Sequence, residues 1–219
     1  MLVIGHRGAS GLAPENTLEA LRAGLESGAD MLEFDVRLTS DSIPILAHNP
    51  QLYSHTIRRT SFADLQAAGH ITTLESVLDE FFGKILLNLE YKPVGDINVV
   101  LDMVKKRFIK TDQDWEDILF SSFHVRTLFQ LRHLDAKANL ALLHSVNPFA
   151  FVTYQRRLRL SAVGWHRLHV NNLAIAIAKK ADIFTYVYTV NRPQAAIILE
   201  QKGIDAVVTD YPDRIAKEF

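Results

Sequence analysis

Cysteine is absent from this 219-residue chain, which removes disulfides, thiolate nucleophiles and zinc–thiolate centres in one step. A charge excess is missing too: 24 basic against 25 acidic residues leave a net charge of −1. No electrostatic footprint for nucleic acid or an anionic membrane is therefore present. No apolar run approaches the ~20 residues that span a bilayer, and the N-terminus lacks a signal peptide's basic leader and apolar stretch. The expectation is a soluble, cytoplasmic protein with neither a nucleic-acid partner nor a membrane span. Linkers, low-complexity tracts and strong internal repeats are also missing, so residues 1–219 read as one domain.

What is present is an alternation of short apolar runs with longer segments of helical period. Candidate strands are 2–5, 31–38, 43–48, 84–91, 117–122, 139–145, 162–166, 183–190 and 205–210. Amphipathic stretches lie between most of them; in NTLEALRAGLES, Leu18, Leu21 and Leu25 form one stripe. Eight β–α units plus an extra strand near residue 45 predict an α/β fold of the (β/α)8 TIM-barrel type, with a short insertion at about 43–73 after the second strand. A doubly wound open sheet is the competing architecture. The dinucleotide fingerprint such a sheet often carries is not found, because GHRGASG (5–11) has the wrong spacing and runs into a loop.

Polar residues on the strands carry the functional signal. In MLEFDVRL, Leu32, Phe34, Val36 and Leu38 alternate with Met31, Glu33, Asp35 and Arg37. If the apolar row packs under the helices, both carboxylates face the lumen, where each needs a cation or donors. Asn88, Glu90 and Lys92 repeat the device on another strand. Three converging carboxylates make a hard oxygen site suited to Mg2+ or Ca2+. The alternative is that each is merely solvated, or paired with Arg7, Arg37 or Lys92. His6 and His48 each close a strand, and histidine suits proton transfer near neutral pH. Asn16 reads as a helix N-cap, with Glu19 three residues on as in a capping box. That leaves Glu15 free to contact Arg7. Trp165 and His166 end a later strand as possible pocket walls, with ordinary barrel packing as the alternative.

HRGASGLAPENT (6–17) followed by EFDVRLTSDSIPILAH (33–48) resembles the glycerophosphodiester phosphodiesterase family. LNLEYK (87–92), YTVN (188–191) and GIDAVVTDYP (203–212) resemble further landmarks in the same order. The resemblance implies a metal-dependent TIM-barrel hydrolase that releases glycerol 3-phosphate and an alcohol from small glycerophosphodiesters. It implies His6 and His48 as acid/base residues, Glu33, Asp35 and Glu90 as ligands of one divalent cation, and Arg7, Lys92 and Glu15 around the phosphate. The chain departs from the family pattern at Asn49, where an aspartate is usual after the histidine, and at Ser42, usually glycine. Its 49–73 segment also looks short, implying a more open substrate end. Two other readings are a barrel phosphodiesterase acting on lysophospholipid or sphingolipid headgroups, and a phosphodiester-binding barrel without turnover.

Overall fold

The computed structural model describes residues 1–219. Its first strand, β1 (Leu2–Gly5), pairs in parallel with β2 (Met31–Leu38) on one side. An excursion follows β2: β3 (Pro44–Leu46) folds back antiparallel on it, and β4 (Gln51–Leu52) and β5 (His55–Thr56) form a small hairpin. The parallel series resumes with β6 (Leu86–Tyr91), β7 (Ile118–Ser122), β8 (Asn139–His144), β9 (Ala162–His166), β10 (Phe184–Tyr188) and β11 (Ala206–Thr209). β11 pairs back onto β1, from Leu2↔Ala206 to Gly5↔Thr209. That closure makes an eight-stranded barrel and excludes the open sheet.

Helices α1 (Leu18–Glu26), α2 (Phe62–Ala68), α3 (Leu74–Phe81), α4 (Ile97–Arg107), α5 (Val125–Leu134), α6 (Ala150–Leu158), α7 (Asn172–Lys180), α8 (Pro193–Gln201) and α9 (Pro212–Ile215) surround it. None is long and apolar enough to cross a membrane. Within the excursion, Ile45, Ala47, Ile57 and Leu65 form a separate small core.

The two strand faces have different duties. Forty-three buried residues form the strand–helix layer, among them Leu32, Phe34, Val36, Leu87 and Leu89. Only nine, including Ile4, Met31, Leu119, Ala162 and Tyr186, form the lumen core. Burial scales with apolar area, so the outer layer supplies most of the hydrophobic stabilisation and leaves the upper lumen available for polar groups.

The GHRG turn at the end of β1 is built on close backbone approach. A Cβ on Gly5 would lie 2.1 Å from the Gly8 carbonyl oxygen, and one on Gly8 would lie 2.4 Å from the Ala20 carbonyl carbon of α1. Gly8 also has φ +89°. Gly8→Ala is therefore expected to cost about 2–4 kcal/mol, from strain plus a backbone clash. Gly95 shares the positive φ, +84°, but has open space, so Gly95→Ala should cost only about 1–2 kcal/mol. Urea denaturation of both variants checks the pair; equal costs would show that close packing under the turn is unimportant.

Candidate metal and phosphodiester site

Strand register assembles the acidic cluster. Asp35 of β2 lies opposite Glu90 of β6, and Glu33 opposite Asn88. Carboxylate oxygens of Glu33, Asp35 and Glu90 lie within 4.8 Å of one another. Both β2 carboxylates share the lumen face because side chains alternate with period two.

Asp35 is the hub. Its side chain is 2% exposed, with Lys92 Nζ 3.1 Å from Oδ1 and Arg7 Nε 3.3 Å from Oδ2. The Arg7 contact is an ion pair without hydrogen-bond alignment. Asn16 Nδ2 donates to Asp35 Oδ2 at 2.9 Å, and Asp35 N donates to Asn16 Oδ1 at 3.0 Å. This corrects the capping expectation. Thr17 is the N-cap of α1, accepting from Ala20 N, while buried Asn16, at φ +59°, clamps Asp35. Burial opposes ionisation of Asp35, but Lys92, Asn16 and Arg7 outweigh it and hold its pKa below the ordinary range.

The other cations complete the frame. Lys92 Nζ donates to Glu90 at 2.6 Å, and Arg7 donates to Glu15 at 2.5 Å. Arg7 also gives its backbone N–H to Glu33 Oε2 at 2.9 Å. Glu33 has no cationic side chain of its own, and its Oε1 is buried without a hydrogen bond. Burial, followed by the Asp35 charge, pushes its carboxyl up to about 8. Burial and Asp35 likewise raise Glu90.

His6 stands beside this cluster. Its Nδ1 lies 2.5 Å from Asp210 Oδ1, an acid 204 positions away that sequence reasoning missed. Ser10 Oγ donates to the same oxygen at 2.7 Å, and Asn191 Nδ2 donates to Oδ2 at 2.6 Å. Burial alone would lower the His6 pKa, but the Asp210 hydrogen bond and the acidic surroundings of the ring give a net rise. His48 differs. Its ring faces the Asn49 amide at 3.2 Å, and burial, with Arg7 and Lys92, moves its pKa down despite Asp35. Arg37 fixes the backbone beneath it, donating twice to the His48 carbonyl at 3.0 and 2.7 Å.

The expected wall pair divides. Trp165 is fully buried in the strand–helix layer, donating Nε1–H to the Pro148 carbonyl at 2.9 Å. It does not line the site, because it shares its strand face with outward-packed Val163. His166 lies on the other face, its ring 5.9 Å from Tyr188, which packs edge-on against Phe123 at 6.0 Å. The small cavity of 30 Å3 within the cluster is lined by His6, Glu33, Asn88, Glu90, Tyr186 and Tyr188. A 620 Å3 cavity involving Leu2, Asp30, Phe184 and Asp205 lies at the N-terminal end of the strands and lacks this convergence.

The donor set fits a divalent cation: three carboxylates converge, one Glu33 oxygen is buried without a partner, and burial together with the Asp35 charge raises the Glu33 carboxyl in the absence of a cation. A folded pKa above the ordinary 4.5 means the folded state keeps a proton that the unfolded state has lost. Metal-free stability from this group is thus full below ~4.5 and declines as pH rises towards 8. Cation binding removes that penalty, so the thermal shift produced by Mg2+ or Ca2+ should grow between pH 5.5 and 8.5. Differential scanning fluorimetry with and without EDTA checks this; a shift that shrinks over that range contradicts the assignment.

Comparison with known proteins gives a consistent result. The Glycerophosphoryl diester phosphodiesterase family matches residues 6–214. YhdW of Bacillus subtilis is 30% identical over all of this chain and 98% of its own length. A glycerophosphodiester phosphodiesterase of Caldanaerobacter subterraneus is 26% identical, over 98% of this chain and 96% of its own. An Oleispira antarctica phosphodiesterase, solved with the product sn-glycerol-3-phosphate, superposes with a TM-score of 0.86 at 27% identity, covering 100% of this chain and 96% of that one. The Thermotoga maritima glycerophosphodiester phosphodiesterase superposes at 0.85, with 27% identity and 99% and 97% coverage.

Proposed function

This chain belongs to the glycerophosphoryl diester phosphodiesterase family, and from that premise we propose that residues 1–219 form one catalytic domain hydrolysing small glycerophosphodiesters to glycerol 3-phosphate and an alcohol. The convergence of Glu33, Asp35 and Glu90 within 4.8 Å, flanked by Arg7 and Lys92, carries this reading. These three carboxylates would hold one cation, Mg2+ or Ca2+, because an all-oxygen donor set favours hard ions. When bound, the ion supplies Lewis-acid stabilisation of negative charge on the phosphoryl oxygens.

The chain's own groups do the rest. Arg7 and Lys92 are pre-positioned cations, held by Glu15, Asp35 and Glu90, and they attract the phosphodiester monoanion and the charge that grows on it. His6 and His48 form the acid/base pair. One accepts the proton of the oxygen nucleophile as its bond to phosphorus forms, and the other gives a proton to the departing alkoxide as the P–O bond breaks. His166, Tyr188 and Phe123 offer a wall on the rim for the non-reacting part of the ester.

The test is release of glycerol 3-phosphate from glycerophosphocholine and glycerophosphoethanolamine with EDTA, Mg2+ or Ca2+. Metal-restored turnover supports the proposal. Binding of either ester without turnover under any metal condition would move the protein to the non-catalytic reading, and exclusive activity on lysophosphatidylcholine micelles would move it to lipid substrates.

A further inference from the structure

We infer that Asp210 is a positioning residue for His6, fixing the ring so that Nδ1 bears hydrogen and Nε2 is the nitrogen that exchanges a proton with the reacting ester. The inference rests on the acid/base role proposed for His6 and assigns which nitrogen performs it.

A carboxylate only accepts hydrogen bonds, so the 2.5 Å contact between Asp210 Oδ1 and His6 Nδ1 places the proton on Nδ1. Nε2 is then left to take up or release a proton towards the site. The carboxylate is itself held by two further donors. Ser10, on the loop after β1, donates to Oδ1 at 2.7 Å. Asn191, after β10, donates to Oδ2 at 2.6 Å. Asn191 Oδ1 in turn accepts from the Asp210 backbone N–H at 3.0 Å and from Thr209 Oγ1 at 3.1 Å. Three loops, after β1, β10 and β11, thus meet on one side chain where the barrel closes. A hydrogen-bonded carboxylate selects the tautomer of a histidine and restrains its ring.

His48 lacks this support. Its ring nitrogen meets a neutral amide, Asn49 Oδ1, at the longer distance of 3.2 Å. The two histidines are therefore unequal: one is oriented by a fixed anion, the other by a neighbouring side chain that carries no charge.

The experiment compares the metal-loaded parent with Asp210→Asn, Asp210→Glu and Asn191→Ala. For Asp210→Asn the expected result is a kcat loss of roughly 10²–10³-fold, KM within about threefold and an unchanged metal-induced thermal shift. Asn191→Ala keeps the carboxylate but frees one of its oxygens, so its kcat loss should be smaller. Asp210→Glu should recover part of the Asp210→Asn loss. 15N NMR of the histidine side chains provides a readout independent of turnover: His6 in the parent should carry hydrogen on Nδ1, and Asp210→Asn should change that signature. An Asp210→Asn kcat within threefold of the parent, or a His6 ring protonated only on Nε2 in the parent, overturns the inference. A joint collapse of kcat, KM and thermal stability also overturns it, because that marks a merely structural residue. A parent without turnover would refute the proposed function instead, and the NMR arm would still decide the His6–Asp210 pairing.

Discussion

Asp35→Asn should lower metal-dependent kcat by roughly 10³-fold or more, the largest effect expected of any single isosteric change in this protein. The amide keeps the shape and can still accept from Asn16, but it removes the charge that Lys92 and Arg7 approach at 3.1 and 3.3 Å. It also leaves the acidic cluster with two carboxylates in place of three. Both cations retain another acid, Glu90 and Glu15 respectively, so they are not stranded as unpaired buried charges. Breaking a buried ion pair outright costs about 3–5 kcal/mol; the retained partners should hold the stability loss below that. Steady-state kinetics, calorimetric titration with Mg2+ or Ca2+, and thermal melts separate the effects. Weakened metal binding with a largely preserved melt is expected, whereas kcat within tenfold of the parent would show that Asp35 is not at the centre of the site.

His6→Gln and His48→Gln should each reduce kcat by roughly 10²–10⁴-fold while leaving the metal-induced thermal shift intact. The double variant should be little worse than the poorer single, because under the proposed acid/base pairing proton uptake and proton donation serve one displacement and their losses do not add. Single-turnover assays at saturating metal read this directly. Independent, multiplying losses would separate the two histidines into unrelated steps, and full activity in either single variant would remove that residue from the chemistry.

Much of the site could be read from residue order because it lies on two strands. The alternation in MLEFDVRL and LLNLEY, with bulky apolar residues on one parity and acids on the other, is a local property that the barrel turns into convergence. Glu33, Asp35, Glu90 and Lys92 follow from that parity alone. The same rule places Trp165 outward, in step with Val163, and leaves only His166 on the inner face. Reading the two as a unit overlooked that parity.

Asn16 and Asp210 were not legible, for two different reasons. N-T-L-E offers two adjacent residues able to cap a helix, and only the tertiary position of Asp35 decides that Thr17 caps while Asn16 turns inward. Asp210 meets His6 only because β11 closes onto β1, so no spacing within either segment announces the contact. The hairpin of β4 and β5 was hidden as well. Tyr53 and Ser54 make its turn at φ +50° and +66°, without the glycine or asparagine that usually marks such a turn. Helix α2 has seven residues, too short to establish a clear period, although Ser61 and Asp64 supply a cap.

The proposed hydrolysis requires a cation held by Glu33, Asp35 and Glu90. Anomalous diffraction from crystals grown with Mn2+ and glycerol 3-phosphate tests it most directly. The predicted result is one strong anomalous peak within coordination distance of all three carboxylates, with phosphate density on the side of Arg7 and Lys92. No peak at that cluster, at a Mn2+ concentration that saturates turnover, would contradict it.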